Sequence, residues 1–187
     1  MIFQPEPLQR ITRFLTAHGI PYMLIGGIAN AIWGRVRATA DVDLKVLTGG
    51  RPVSDLRALI AAEFPLYRRP WLGPAESALI ISLEVTPGMV VDLLVGVFPY
   101  EEQAVERAIT IQYEGAPLRI CTAEDLIIHK AIADRQKDWT DIDGIVWRQK
   151  GRLDAAYVRY WLQQWGDELE KPHLLARFNQ LISQANE

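Results

Sequence analysis

The sequence predicts an α+β fold: strands mixed with helices over residues 1–121, followed by a helical region over 122–187. Three observations carry this division. Ala40 to Val46 alternates polar and apolar side chains, the two-residue period of a strand. Two pairs of β-favouring runs flank turn residues, Thr86-Pro87-Gly88 and Glu114-Gly115-Ala116, which is the signature of hairpins. From Thr122 onward the pattern turns helical, with Gly151 and Gly166 near helix ends.

Leu8, Ile11, Phe14 and Leu15 recur at helical period, and His18-Gly19 stops that helix. Pro21 leads into a strand, YMLIG, that ends in Gly26-Gly27, after which Ile28 to Trp33 is helical again up to Gly34. Beyond the Ala40–Val46 strand, Thr48-Gly49-Gly50 is a break, and Pro52 opens a helix whose buried side holds Leu56, Leu59 and Ile60. Leu66 to Ala75, rich in proline and aromatic residues, reads as a loop with a short strand. Ala78–Val85 pairs with Met89–Val95, and Ile109–Tyr113 with Pro117–Ile120, with a short helix around Glu102–Arg107 between the hairpins. Thr122 and Asp125 have the form of a capping box for a helix that continues over Leu126–Arg135. Further helices are expected over Thr140–Arg148, Leu153–Trp165 and Lys171–Ser183.

With 187 residues, 49% of them hydrophobic, the chain can bury a core, so disorder is not the expectation. A net charge of -3 argues against a surface dedicated to a long polyanion, although a local basic patch would bind RNA by the same physics. The single cysteine, Cys121, makes no intrachain disulfide, and no Cys/His cluster offers zinc a tetrahedral set. No apolar run is long enough to span a membrane and the N-terminus lacks a leader pattern, so a soluble cytoplasmic protein is expected.

The chemistry concentrates in acidic residues. Residues two apart in a strand share a face, so Asp41 and Asp43 stand side by side while Val42 points to the core. Two carboxylates roughly 6 to 7 Å apart repel unless a cation lies between them. Asp92, between Val91 and Leu93, is a further acidic residue embedded in an apolar strand. Such oxygen-only ligands suit Mg²⁺ or Mn²⁺, completed by water and substrate phosphates. An isolated DxD is often only a solvated strand edge; here it follows a Gly-Gly turn, a short helix, Arg37 and Thr39. Gly26 and Gly27 permit close backbone approach, and the helix start could hold phosphate; a tight turn without a ligand is the alternative for that pair taken alone.

The stretch LIGGIANAIWGRVRATADVDLKV, Leu24 to Val46, together with VVDLLVG, Val90 to Gly96, resembles the nucleotidyltransferase superfamily of the polymerase β-like fold, which implies a mixed central sheet. The RxTxDxD form from Arg37 to Asp43 is similar to the small bacterial branch that includes AbiEii-type toxins. The resemblance covers about the first two thirds of the chain. It implies Asp41, Asp43 and Asp92 as metal-binding catalytic residues, with Asp92 as third ligand and base for the attacking hydroxyl. It further implies a triphosphate contact by Gly26, Gly27, Arg37 and Thr39, and a nucleoside triphosphate as co-substrate. CTAEDLIIHKAIADRQKDWTDID resembles a later motif of that branch and implies Lys130 as a triphosphate contact, with Arg135, Lys137, Asp138 and Asp141 completing the motif. Lys130, Asp134 and Asp138 recur at four-residue spacing, the flank of one helix, and the bland alternative is a solvated face laced with ion pairs.

The expected activity is metal-dependent transfer of a nucleoside monophosphate to an acceptor hydroxyl on tRNA, on a protein or on a small molecule, possible for a toxin. The competing class is a non-catalytic role, in which the chain is a scaffold or the antitoxin-like half of a toxin-antitoxin-like complex; the protein partners to be expected are a cognate antitoxin or a second copy in a homodimer. A nucleic-acid module would need a basic face near Arg148, Lys150, Arg152 and Arg159. Tyr157, Trp161 and Trp165 lie on one helical stripe, read as a packing or dimer seam, with Trp147 and Tyr160 nearby. His18, His129 and His173 have no ligand spacing, and Cys121 reads as a small buried hydrophobe.

Overall fold

A computed structural model describes residues 5–36, 42–73, 78–113 and 115–187. The chain divides into two compact units, Met1–Ile28 with Ala38–Cys121, and Ala29–Arg37 with Thr122–Glu187. The boundary falls within the helix that follows the Gly26-Gly27 pair.

The first unit is built on a six-stranded mixed sheet. Its strands are β1 (Tyr22–Ile25), β2 (Val42–Leu47), β3 (Ile80–Thr86), β4 (Met89–Gly96), β5 (Ile109–Tyr113) and β6 (Ala116–Ile120), in the order β3-β4-β2-β1-β6-β5. Both hairpins form as their turn residues require: β3 pairs antiparallel with β4, and β5 with β6. Gly88, at φ +80°, supplies the left-handed position of the first turn. The long-range pairings are parallel for β2 with β4 and for β1 with β6, and antiparallel for β1 with β2.

Alternation sorts the central strands into two faces. Val42, Leu44 and Val46 of β2, Val91, Leu93 and Val95 of β4, and Ile81, Leu83 and Val85 of β3 are all buried on one of them. Leu8, Ile11 and Leu15 of α1 (Pro5–Ala17) and Leu56 and Ile60 of α3 (Val53–Ala61) are buried as well. The other face carries the polar residues Asp43, Lys45, Asp92 and Ser82. Lys45 is ion-paired with Glu101 of α4 (Pro99–Arg107), whose carboxylate also accepts from the amides of Val97 (2.7 Å) and Phe98 (3.0 Å) at the start of that helix.

The helix α2 (Gly26–Trp33) links the units, and the second contains α5 (Ala123–Ala133), α6 (Gln136–Arg148), α7 (Ala155–Glu168) and α8 (His173–Asn186). Thr122 caps α5 as expected, its hydroxyl accepting from the Asp125 amide at 3.1 Å. Leu126, Ile127, Ile142, Ile145, Val158, Leu162, Leu174 and Phe178 form its core. Tyr157 meets Trp161 edge to face and donates to Asp125 of α5 at 2.9 Å, consistent with a packing seam.

The expected helix over Leu126–Arg135 requires correction. It ends at Ala133, because Asp134 adopts a left-handed conformation (φ 53°), and Arg135 becomes the N-cap of α6, which begins at Gln136 rather than Thr140. Lys130, Asp134 and Asp138 therefore do not share the flank of one helix. Asp134 is held in this position by Trp139 Nε1 at 2.8 Å and by His173 Nε2 at 2.8 Å.

Candidate active site

The polar face of the sheet aligns the acidic residues. Asp43 of β2 is the register partner of Asp92 of β4, and Asp92 is in turn the partner of Ser82 of β3, so that Ile25, Asp43, Asp92 and Ser82 form one row across four strands. Adjacent strands are about 4.8 Å apart, which places the Asp43 and Asp92 side chains next to each other on the same face. This parallel pairing of segments distant in sequence supplies the adjacency that the strand pattern alone left open. Asp41, Arg37 and Thr39 lie outside the described residues.

Gly26 belongs to this row through its contact with Asp43. Its φ of +67° is one that L side chains rarely adopt, and a Cβ placed on it would lie 2.0 Å from Asp43 Oδ2 and 2.9 Å from Asp43 Cβ. The glycine turn thus admits the Asp43 carboxylate against the backbone at the start of α2. Gly27 follows as the second residue of that helix.

Arg69, a residue missed in the sequence reading, holds Asp92. Its Nε donates to Asp92 Oδ1 at 3.2 Å and its Nη2 to Oδ2 at 2.8 Å, a two-pronged contact in which both side chains are largely buried. The Arg69 guanidinium also lies 5.5 Å from the Tyr67 ring and 5.2 Å from the Trp71 ring. The alternation Tyr67, Arg69, Trp71 is the available sequence signal, since residues two apart in an extended segment share a side. The segment is positioned by the edge of β3, where Tyr67 N donates to Ser82 O at 2.9 Å and Leu66 bridges Leu83.

The donor set fits a hard divalent cation. Asp43 and Asp92 offer carboxylate oxygens in register, and a carboxylate engaged by one guanidinium retains acceptor capacity. Among the described residues, which exclude Asp41, no group of three or more His, Cys, Asp or Glu side chains converges on a point.

In the helical unit, Lys130 is buried, with its Nζ 2.6 Å from Asp141 Oδ2 and 3.8 Å from Asp138 Oδ1. Asn30 donates to the other oxygen of Asp141 at 3.1 Å, and Arg135 grips Asp138 at 2.5 and 3.2 Å. The later motif is therefore a connected polar network, not a solvated charge run. The Asp134 pKa is lowered from the ordinary carboxylate value: burial acts to raise it, and is outweighed by hydrogen bonds from Trp139 and His173 and by the charges of His173 and Lys171. The basic residues of the expected nucleic-acid face are bonded within the unit: Arg148 to Gly34 O at 2.8 Å, Arg152 to Arg148 O at 2.8 Å and Arg159 to Asn179 at 2.8 Å. Lys150 lies 5.8 Å from the Trp147 ring centroid. No described helix is long and apolar enough to cross a membrane.

Solved structures share this architecture. An antigenic nucleotidyltransferase-like protein from Paracoccidioides brasiliensis is similar with a TM-score of 0.54 at 19% identity, over 90% of this chain and 88% of that one. ANT(2″)-Ia, solved in complex with adenylyl-2″-tobramycin, is similar with a TM-score of 0.54 at 15% identity, over 89% of this chain and 99% of that one. The expected α+β nucleotidyltransferase fold, with a mixed sheet and a helical C-terminal region, is the fold of this protein. No curated protein sequence matches the chain. The match to a family profile extends over residues 4–180, nearly the whole length, and by it the chain belongs to the nucleotidyl transferases of unknown function, DUF2204.

Proposed function

We propose that the chain is a divalent-metal-dependent nucleotidyltransferase that moves a nucleoside monophosphate from a nucleoside triphosphate to an acceptor hydroxyl. The observation that carries this reading is the register pairing of Asp43 with Asp92 beside a glycine whose missing side chain admits the Asp43 carboxylate. Asp41, Asp43 and Asp92 would hold Mg²⁺ or Mn²⁺, which supplies charge neutralisation at the phosphates and acidifies a coordinated hydroxyl.

The acceptor oxygen attacks the α-phosphorus, a new P–O bond forms, the bond to the bridging oxygen of the β-phosphate breaks, and pyrophosphate leaves. Asp92 takes the hydroxyl proton and passes it to solvent. The glycine turn at Gly26 and Gly27 faces the triphosphate with backbone N–H groups at the start of α2, and Arg37 and Thr39 complete that side. Lys130 is carried as a triphosphate contact by resemblance, and its bonds to Asp141 and Asp138 make it a charge already oriented by the helical unit. Affiliation with AbiEii-type toxins, and with it a cognate antitoxin, rests on the pattern from Arg37 to Asp43.

The test is incubation with each labelled nucleoside triphosphate and Mg²⁺, with cell RNA, protein and small-molecule extracts as acceptors. Asp43→Asn and Asp92→Asn should each lower transfer by at least about 10²-fold, the scale of losing one group that stabilises charge in the transition state. Full turnover in both variants would overturn the assignment.

A further inference from the structure

The row of the sheet does not end at Ser82. Leu66 bridges Leu83 antiparallel and Tyr67 N donates to Ser82 O at 2.9 Å, so Tyr67 falls opposite Ser82. Asp43, Asp92, Ser82 and Tyr67 thus occupy successive columns about 4.8 Å apart. Along the β3 edge next to them is a cavity of about 580 Å³ whose lining includes Arg57, Tyr67, Arg68, Arg69 and Ser82. Ser82 is only 5% exposed, and its hydroxyl has no hydrogen-bond partner among the described residues.

Trp71 completes this end of the row. The Arg69 guanidinium, which grips Asp92 through Nε and Nη2, lies over the rings of Tyr67 and Trp71, 5.5 and 5.2 Å from their centroids. A ring that offers one face to a guanidinium keeps the other, and Trp71 is 70% exposed, the most of any described large hydrophobic side chain. An exposed ring is ordinary on a protein surface. This one is tied through a single side chain to a carboxylate of the candidate site, and that tie points to a ligand. In an in-line displacement the attacking oxygen and the leaving pyrophosphate lie on opposite sides of the α-phosphorus. The glycine turn adjoins β1 and Asp43 at one end of the row, whereas Tyr67, Arg69 and Trp71 lie beyond Asp92 at the other.

We propose that the free face of Trp71 is a stacking platform for the acceptor, and that the acceptor carries a flat heteroaromatic ring, as a nucleoside does, beside its hydroxyl. The ring lies on the indole while the hydroxyl approaches Asp92. This deepens the transferase reading above and rests on it. The transfer is the one already written, with the acceptor hydroxyl as nucleophile and pyrophosphate as leaving group. A free sugar presents hydroxyls all round its ring and calls for many donors and acceptors, yet the adjoining cavity has no Asp, Glu, Asn or Gln among its described lining residues. A heteroaromatic ring confines its polar atoms to its edge and leaves both faces free for stacking.

The full chain is titrated calorimetrically, without metal, with adenosine, glucose and a short single-stranded oligoribonucleotide. The adenosine titration is repeated with Mg²⁺ and α,β-methylene ATP, a donor analogue that cannot be cleaved. Adenosine or the oligonucleotide is expected to bind and to quench tryptophan fluorescence, and the tighter of the two tells a free nucleoside from a strand end. Glucose should do neither, and binding should persist beside the analogue. Trp71→Leu should weaken binding about tenfold, the scale of one stacked base, whereas Trp71→Phe, which keeps a ring, should retain most of it and lose the quench. Trp71 is exposed, so both variants should fold, which circular dichroism checks. No binding of either probe, equal binding of glucose, unchanged affinity in Trp71→Leu, or displacement of adenosine by the analogue would overturn the proposal, the last because the ring would then serve the donor. Mg²⁺-dependent binding of the analogue is measured by itself. Its absence would count against the transferase reading, while the metal-free titrations still judge the platform.

Discussion

Gly26 shows how one residue ties local conformation to the site. Its positive φ is open to any glycine in a tight turn, but the contact with Asp43 makes the absence of a side chain a requirement of the site as well as of the turn. Gly26→Ala should destabilise the chain by about 1–3 kcal/mol in denaturant unfolding, from backbone strain, and the residual folded protein should bind Mg²⁺ more weakly because Asp43 has been pushed aside. Wild-type stability and metal affinity in this variant would show that the turn tolerates a Cβ. The Gly-Gly pair was visible in the sequence as a strand-to-helix junction. Asp43 was visible as one of a strand-borne pair. That the two touch could not be read there, because Gly26 begins α2 directly after β1 while Asp43 lies on β2, and only the antiparallel pairing of β1 with β2 sets Ile25 opposite Asp43.

Elements whose signals are local were legible. Both hairpins, the Thr122 cap and the alternation of β2 depend on neighbours within a few residues, and they formed as expected. The break between α5 and α6 escaped notice, since nothing in Ala133-Asp134-Arg135 resembles the usual glycine stop. It is held by Asp134 accepting from Trp139 one turn into the next helix and by His173 of α8, a partner remote in sequence. The lowered pKa of Asp134 means that the folded state favours its ionised form, so this stabilisation is present above the ordinary carboxylate pKa and is lost as pH falls through the lowered one. Asp134→Asn keeps a side chain that tolerates the left-handed conformation but cannot ionise. The variant should be less stable than the wild type at about pH 5, above the ordinary carboxylate value, and the gap should be smaller at about pH 3, below it. A gap that is the same at both values in urea unfolding would remove Asp134 from the account.

At the scale of the whole molecule, the ion pair between Arg69 and Asp92 couples the candidate site to global stability. Arg69→Ala removes charge-assisted hydrogen bonds from a largely buried carboxylate and should cost about 1.5–3 kcal/mol in EDTA. Asp92 no longer shares its oxygens with a guanidinium in that variant. Saturating Mg²⁺ should therefore raise the unfolding free energy of Arg69→Ala more than that of the wild type, since a ligand that binds only the folded chain stabilises it according to its affinity. Equal increments would separate Arg69 from metal binding. The sequence by itself determined the α+β class, the strand that carries Asp43, the strand that carries Asp92 and the helical character after Thr122, because alternation, turn chemistry and capping act over a few residues. Only the tertiary structure decided that β2 and β4 pair in parallel with Asp43 opposite Asp92, that Arg69 grips Asp92 from a loop, and that Arg57, Arg68 and Ser82 line a cavity beside them. Those contacts join segments far apart in the chain, and their register follows from strand order and edge pairing across the sheet, which no local pattern encodes.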